Sequence, residues 1–190
     1  MPTVTALREV PRNRVAVELD GAPWRTLPAD VVVRTGLVIG RSLDRPALRL
    51  LRRELRRAEA LGVAGRALRS RDLSRRALSD RLERAAVGQA AVEESLATLT
   101  RAGLLDDARV ARSRATALAE RGYGDAAIRH RLDQEGLTKE AGDALATLSP
   151  ETDRARAIVS RRGSGPRTAR YLASRGFGED AVEAAFGQDA

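Results

Sequence analysis

Few residues in this chain could carry bond-making chemistry. It contains no cysteine, so thiol nucleophiles, disulfides, zinc–thiolate centres and iron–sulfur clusters are excluded together. Its single histidine, His130, stands between Arg129 and Arg131 in a strongly charged helical stretch, the setting of a surface or boundary histidine rather than a general base. Gly36-Leu37-Val38-Ile39-Gly40-Arg41-Ser42 superficially matches a phosphate-binding loop, but its glycines are one residue too close and Arg41 stands where lysine is needed. Gly163-Ser164-Gly165 lacks the spacing of a nucleophile elbow and precedes Pro166, which suits a helix start; it reads as a turn. Asp106-Asp107 reads as a helix opening, where carboxylates accept free N–H groups, and the spacing supplies no further oxygen ligands for a metal. No catalytic, cofactor or metal constellation is expected, and the chain is read as non-enzymatic.

What the sequence offers instead is guanidinium. Lysine and arginine number 34 against 26 acids, a net charge of +8, and Lys139 is the only lysine. The excess is local: residues 1–40 carry +1, 41–86 carry +8 with 14 arginines and 6 acids, 87–153 carry −4, and 154–190 carry +3. Such a polarised chain can face phosphate with one part and a protein with another. Within the cationic block, Ala47, Leu51, Leu55 and Ala58 recur at helical spacing behind Pro46. At the helical turn per residue, Arg49, Arg52, Arg53, Arg56 and Arg57 fall in an arc of about 140° opposite that stripe. One reading is a solvated helix face. The other is a contact strip for phosphate or carboxylate, extended by Arg66, Arg69, Arg71, Arg75 and Arg76.

The elements that would position these side chains divide the 190 residues unevenly. In residues 1–43, Val15, Val17 and Leu19 alternate with Arg14, Ala16 and Glu18. Asp20-Gly21 makes a hairpin turn, Trp24 to Leu27 return antiparallel, and Val4 to Val10 is a candidate third strand. Trp24 is expected on the hairpin face or in the core. Pro28 opens a short helix through Val31 to Val33 that Gly36 closes. From Asp44 the pattern is helical to the end. Ser74 precedes a helix over Arg75 to Arg84, Gly103 follows Ala90 to Arg101, and Gly122 follows Asp107 to Arg121. Gly136 follows Ala126 to Glu135, Thr138 precedes Lys139 to Leu148, Ser149-Pro150 opens the next helix, and Gly176 closes Pro166 to Arg175. Helices this short are marginal alone and must be held by neighbours.

The chain also matches itself. Arg71 to Leu82 aligns with Arg121 to Leu132, and Arg121 to Leu137 with Arg162 to Phe177. A period of three helices follows, with last helices around Val92, Ala144 and Val182. The expected organisation is mainly α: an N-terminal β-hairpin module over 1–43, then repeats over 44–104, 105–148 and 149–190 in an elongated array. Five aromatic residues leave a core of leucine, valine and alanine, so modest stability is expected. No run is long and apolar enough to cross a membrane and no secretory signal core is evident, which points to the cytoplasm.

One string stands out: Gly103-Leu104-Leu105-Asp106-Asp107-Ala108-Arg109, followed by Arg121-Gly122-Tyr123-Gly124, then Ile128 and Leu132. It resembles the RecX family of bacterial recombination regulators, whose central repeat carries a similar glycine, aliphatic, Asp-Asp, Arg signature and a later Gly-x-Gly turn before an Ile-x-x-x-Leu helix. The likeness spans the hairpin and all three repeats. Val110 stands where members commonly have an aromatic, Ala86 replaces a usual glycine, and the third repeat is shortened at Gly163 to Pro166.

The resemblance implies a protein without catalytic activity that binds the RecA recombinase, above all its filament on single-stranded DNA. It would restrain filament assembly, ATP hydrolysis or strand exchange in recombination, repair and the SOS response. It would act as a monomer without a cofactor or membrane, touching DNA weakly or through RecA. The alternative is a free-standing DNA-binding regulator that uses one three-helix unit as a helix-turn-helix, with sequence-dependent duplex binding as its mark. A metal-dependent nuclease is a more distant third.

Overall fold

A computed structural model describes residues 1–187. Its elements are β1 (Val4–Val10), β2 (Arg14–Leu19), β3 (Ala22–Pro28), α1 (Ala29–Thr35), α2 (Arg45–Ser70), α3 (Arg75–Arg84) and α4 (Gln89–Arg101). They continue with α5 (Asp107–Glu120), α6 (Asp125–Gln134), α7 (Ala141–Ala146), α8 (Glu151–Arg162), α9 (Pro166–Ser174) and α10 (Glu179–Phe186). The protein is mainly helical with a small antiparallel sheet at its N-terminus, as the alternation and the helix punctuation require. Two compact units emerge. One comprises Met1–Ser70 and Ser79–Arg101, the other Arg71–Leu78 and the chain from Ala102 onward.

In the first unit the strands lie in the order β1-β2-β3. Asp20 and Gly21, both at positive φ, make the two-residue turn between β2 and β3. The candidate third strand forms: Leu7 faces Val17 across β1 and β2, while Val15 faces Leu27 across β2 and β3. The inward residues Val4, Val15, Val17 and Leu27 close a core with Val31 and Val32 of α1, Leu37, Leu43 and Leu51. Trp24 packs half-buried against it. The glycine-rich segment at 36–42 has a structural task. The Gly40 N–H donates to the Val4 carbonyl and the Val4 N–H to the Arg41 carbonyl, at 2.8 and 2.9 Å. The Arg41 guanidinium caps the end of α1 through the carbonyls of Thr35 and Gly36, at 2.9 and 2.6 Å. Gly36 supplies the left-handed turn at φ 61°.

The second unit holds two cores. Val110, Ala115, Leu118, Ile128, Leu132, Leu137 and Leu145 fill one between α5, α6 and α7. Ile158, Val159, Leu172 and Phe177 with Ala155 and Ala185 fill the other between α8, α9 and α10. Val110 is buried in the first of these cores, which is otherwise filled by alanine, leucine and isoleucine. The sequence expects α7 to span Lys139 to Leu148, but Ala141–Ala146 is all that forms. At its start a tight turn intervenes, closed by the Glu140 N–H on the Leu137 carbonyl at 3.2 Å; at its end the Leu148 N–H bonds the Leu145 carbonyl at 3.0 Å.

Helices α3, α6 and α9 end in the same way. A backbone N–H reaches five residues back in each: Val87 to Leu82, Leu137 to Leu132 and Phe177 to Leu172, at 3.1, 2.9 and 3.2 Å. The residue before each donor is left-handed: Ala86 at φ 57°, Gly136 and Gly176 at φ 77°. This closure requires a positive φ, which a Cβ disfavours by about 1–2 kcal/mol. Ala86 therefore carries strain that its two counterparts avoid. Replacing Ala86 with glycine should raise stability by about 1 kcal/mol in urea denaturation, because φ relief outweighs the extra freedom of the unfolded chain.

Candidate functional site

The arginine strip lies on α2, whose start is fixed by Asp44: its carboxylate accepts the Ala47 N–H at 2.8 Å. Leu51 is buried, and Ala47, Leu55 and Ala58 pack half-buried on the first unit's core, so the opposite face turns outward. Arg49, Arg52, Arg53 and Arg56 are exposed. With Gly88 to Ala91, Glu93 and Glu94 at the start of α4, they line an open groove of about 800 Å³.

Arg57 departs from the strip. It is 8% exposed, and its guanidinium meets Glu54 at 3.5 Å and Glu94 at 3.3 Å. Glu94 also takes Arg53 at 3.4 Å. The reason lies further along α2. Ala60, Ala64 and Ala67 are buried too, and Ala60 and Ala64 lie three and seven residues beyond Arg57, on its side of the helix. The buried face shifts around α2 between its first and second halves, and carries Arg57 inward. Glu94 thereby neutralises two of the strip's cations. Arg49, Arg52 and Arg56 have no ion-pair partner among the described residues.

The remaining sequence candidates are dispersed. Arg66 and Arg69 are carried on the last turns of α2 in the first unit, while Arg71, Arg75 and Arg76 belong to the second. The Arg76 side chain packs over Gly136, where a Cβ would lie 2.6 Å from its Cδ. His130 is exposed and shares a 3.0 Å hydrogen bond with Gln134. Among the described residues no group of three His, Asp or Glu side chains could hold a metal ion, and no helix is long and apolar enough to cross a membrane.

The signature residues form helix junctions in the second unit. Gly103 is left-handed at φ 68°, Leu105 is buried, and Ile128 and Leu132 are fully buried. Asp106 caps its own helix by accepting the Arg109 N–H at 2.9 Å. Asp107 reaches elsewhere: it accepts the N–H of Arg75, the first residue of α3, at 2.7 Å. Arg109 pairs with Asp72 at 2.7 Å, and the Ser74 hydroxyl donates to the Glu135 carbonyl at 2.7 Å.

The Gly-x-Gly turn repeats this arrangement one step along. Glu151, the first residue of α8, accepts the N–H of Asp125, the first residue of α6, at 2.6 Å. The Gly124 N–H donates to the Arg175 carbonyl at 2.9 Å. Here the backbones nearly touch, since a Cβ on Gly124 would lie 2.3 Å from the Gly176 carbonyl oxygen and the Phe177 nitrogen. Arg154 holds the turn from behind, donating to the Tyr123 carbonyl at 3.0 Å and pairing with Asp125. The Tyr123 ring is faced by Arg131 and Arg175 at 4.5 and 4.6 Å, with Arg121 farther out at 5.9 Å. Sequence reasoning missed Glu94, Glu151 and Arg154, because each acts on a partner more than 25 residues away. Repetition was the one available signal, for Asp107 and Glu151 each open a helix after a corresponding turn.

Comparison with known proteins places these features in context. The regulatory protein RecX of Stenotrophomonas maltophilia is 36% identical over 138 residues, which is 66% of this chain and 82% of that protein. RecX of Xanthomonas oryzae pv. oryzae is 38% identical over 138 residues, 66% and 83% of the two chains. RecX of Acidithiobacillus ferrooxidans is 32% identical over 143 residues, 69% and 91%. A crystal structure of a regulatory protein RecX superposes with a TM-score of 0.84 at 20% identity, covering 96% of this chain and 98% of the other. RecX from Lactobacillus salivarius gives 0.63 at 16% identity, covering 70% and 96%. These two structures share the fold. No family model matches the sequence.

Replacing Gly124 with alanine should destabilise the second unit by about 3 kcal/mol or more, because the added Cβ meets backbone that cannot move aside. Asp107→Ala, which removes one cap, should cost about 1 kcal/mol. Denaturant melts monitored by circular dichroism would compare the two directly.

Proposed function

The chain belongs to the RecX family of regulatory proteins, and from that premise we propose that it regulates the RecA recombinase in recombination, DNA repair and the SOS response. It does so by binding, without catalysis or cofactor, to the RecA filament on single-stranded DNA, and it restrains filament assembly, ATP hydrolysis and strand exchange. It works in the cytoplasm as a monomer. The observation that carries this reading is the family relationship, about one-third identity across most of the length of several RecX proteins. The signature supports it in physical terms: its aspartates and glycines are spent on joining short helices, which suits a scaffold for contact rather than a reaction centre. The recurring helix closures and junctions support three repeats over 44–104, 105–148 and 149–190, behind a hairpin module over 1–43.

The contact strip is assigned to α2 and its neighbourhood. Arg49, Arg52 and Arg56 present guanidiniums free of ion pairs among the described residues along one groove, suited to phosphate or carboxylate of the filament. Arg53 lends part of its charge to Glu94, and Arg57 supports the strip from beneath. Arg66, Arg69, Arg71, Arg75 and Arg76 add positive charge nearby in sequence.

RecA ATPase on single-stranded DNA, measured with and without this protein, tests the assignment. A stoichiometric amount should lower the rate; no effect, or tight sequence-dependent duplex binding without RecA, would overturn it. Arg52→Glu with Arg56→Glu should weaken the inhibition about tenfold at low salt and less at high salt, since exposed charges are screened. Both residues are solvent-facing, so the melting temperature should hold.

A further inference from the structure

The second unit carries a row of stacked side chains that the α2 strip does not explain. Arg131 lies over the Tyr123 ring at 4.5 Å, and Arg175 covers the same ring at 4.6 Å. Arg175 also lies 5.2 Å from the Tyr171 ring, and Arg162 covers Tyr171 at 4.1 Å. The order of the stack is Arg131, Tyr123, Arg175, Tyr171, Arg162, using both tyrosines of the chain. Arg121 flanks it at 5.9 Å from Tyr123. Two further contacts bear on the stack. Arg131 donates to the Tyr123 hydroxyl at 3.2 Å, and Gly122, at φ 78°, leaves room for the Tyr171 hydroxyl, 3.5 Å from where its Cβ would be.

Arg131 spends one N–H on the Tyr123 hydroxyl, whereas the guanidiniums of Arg162 and Arg175 make no side-chain hydrogen bond among the described residues, so most N–H groups of the three remain available. None of Arg121, Arg131, Arg162 and Arg175 has an ion-pair partner among the described residues. Beside Tyr171 and Arg162 lies a recess of about 280 Å³, to which Arg121 and Arg161 add charge and Glu120 contributes the one carboxylate. Cations gathered in a row repel one another unless an anion relieves them. A row of positive charges alternating with aromatic rings matches a polymer bearing one negative charge per unit.

We propose that the Arg131–Tyr123–Arg175–Tyr171–Arg162 stack is a second binding surface, for the phosphodiester backbone of single-stranded nucleic acid. The remaining N–H groups of Arg131, Arg175 and Arg162 take successive phosphates, and the aromatic and guanidinium groups of the stack receive bases by stacking. A folded acidic protein, whose carboxylates are irregularly spaced, fits the row less well. The surface acts directly on the nucleic acid and needs no recombinase, so its success or failure is separate from that of the RecA assignment.

The test uses the full chain and a short fluorescein-labelled oligothymidylate, with anisotropy titrations over a range of salt. Arg131→Gln with Arg162→Gln removes two charges at the ends of the stack and should weaken binding about tenfold. The slope of log affinity against log salt should become shallower by about 0.7 for each phosphate no longer neutralised. Lysine at both positions, which keeps the charge, should restore the slope but not the full affinity. Unchanged affinity and slope in the glutamine variant, with an unchanged melting temperature, would overturn the proposal. Equal affinity for duplex DNA, or equally effective competition by poly-glutamate, would overturn the assignment to a single strand. Arg162→Gln alone, at the end of the row, should show a smaller loss in the same direction; no loss there, should the double variant fail to fold, would count equally against the surface.

Discussion

The second unit depends on carboxylates that reach from the first residue of one helix to the first free N–H of another. Asp107 and Glu151 both do this, at 2.7 and 2.6 Å. Helices of six to fourteen residues form weakly alone, and the unpaired N–H groups at their starts are costly if buried without a partner. A cap supplied by the same helix would meet the electrostatic need but join nothing. A cap supplied from the second helix along meets it and fixes the position of another helix. Chain stability and inter-helix geometry thereby come from the same hydrogen bond. The aromatic-poor cores of alanine, valine and leucine then need only fill the space between helices already placed.

Much of this architecture could be read from local residue chemistry. Asp20-Gly21, Gly36, Ser74, Gly103, Gly122, Gly136 and Gly176 punctuate the chain where expected, because a turn or a left-handed stop is dictated by the residue that makes it. Local signals failed where two distant segments set the outcome. Residues 40–43 bond to the start of β1, a pairing without periodicity to betray it. The α2 helix continues through Gly62 and Gly65 to Ser70, carried by the burial of Ala60, Ala64 and Ala67 despite the glycines' poor propensity. The arginine arc was legible as geometry but not as environment. A helical wheel drawn from the first half of α2 assigns Arg57 to solvent, whereas the second half and Glu94 draw it inside.

Charge is accordingly used in two different ways. Arg57, Arg109 and Arg154 meet carboxylates of this chain and are structural, and two of the three are buried or nearly so. Arg49, Arg52 and Arg56 on α2, and Arg131, Arg162 and Arg175 on the second unit, meet none among the described residues. For exposed arginines, sequence alone does not separate the classes, since the deciding fact is whether a distant acid arrives. The net charge of +8 therefore does not say which arginines are available; that is decided by which of them a carboxylate of the chain reaches.

The junction pattern also accounts for the departure at the start of α9. In the internal alignment Arg75, Asp125 and Pro166 occupy the same place, each the first residue of its helix. The first two offer an N–H that a downstream carboxylate accepts. Proline offers none, and its fixed φ suits the first helical turn without help. Pro166 thus begins α9 without the cross-helix hydrogen bond that its two counterparts make. The third of these helices is therefore started by the geometry of its first residue, whereas the first two rely on a carboxylate from a later helix.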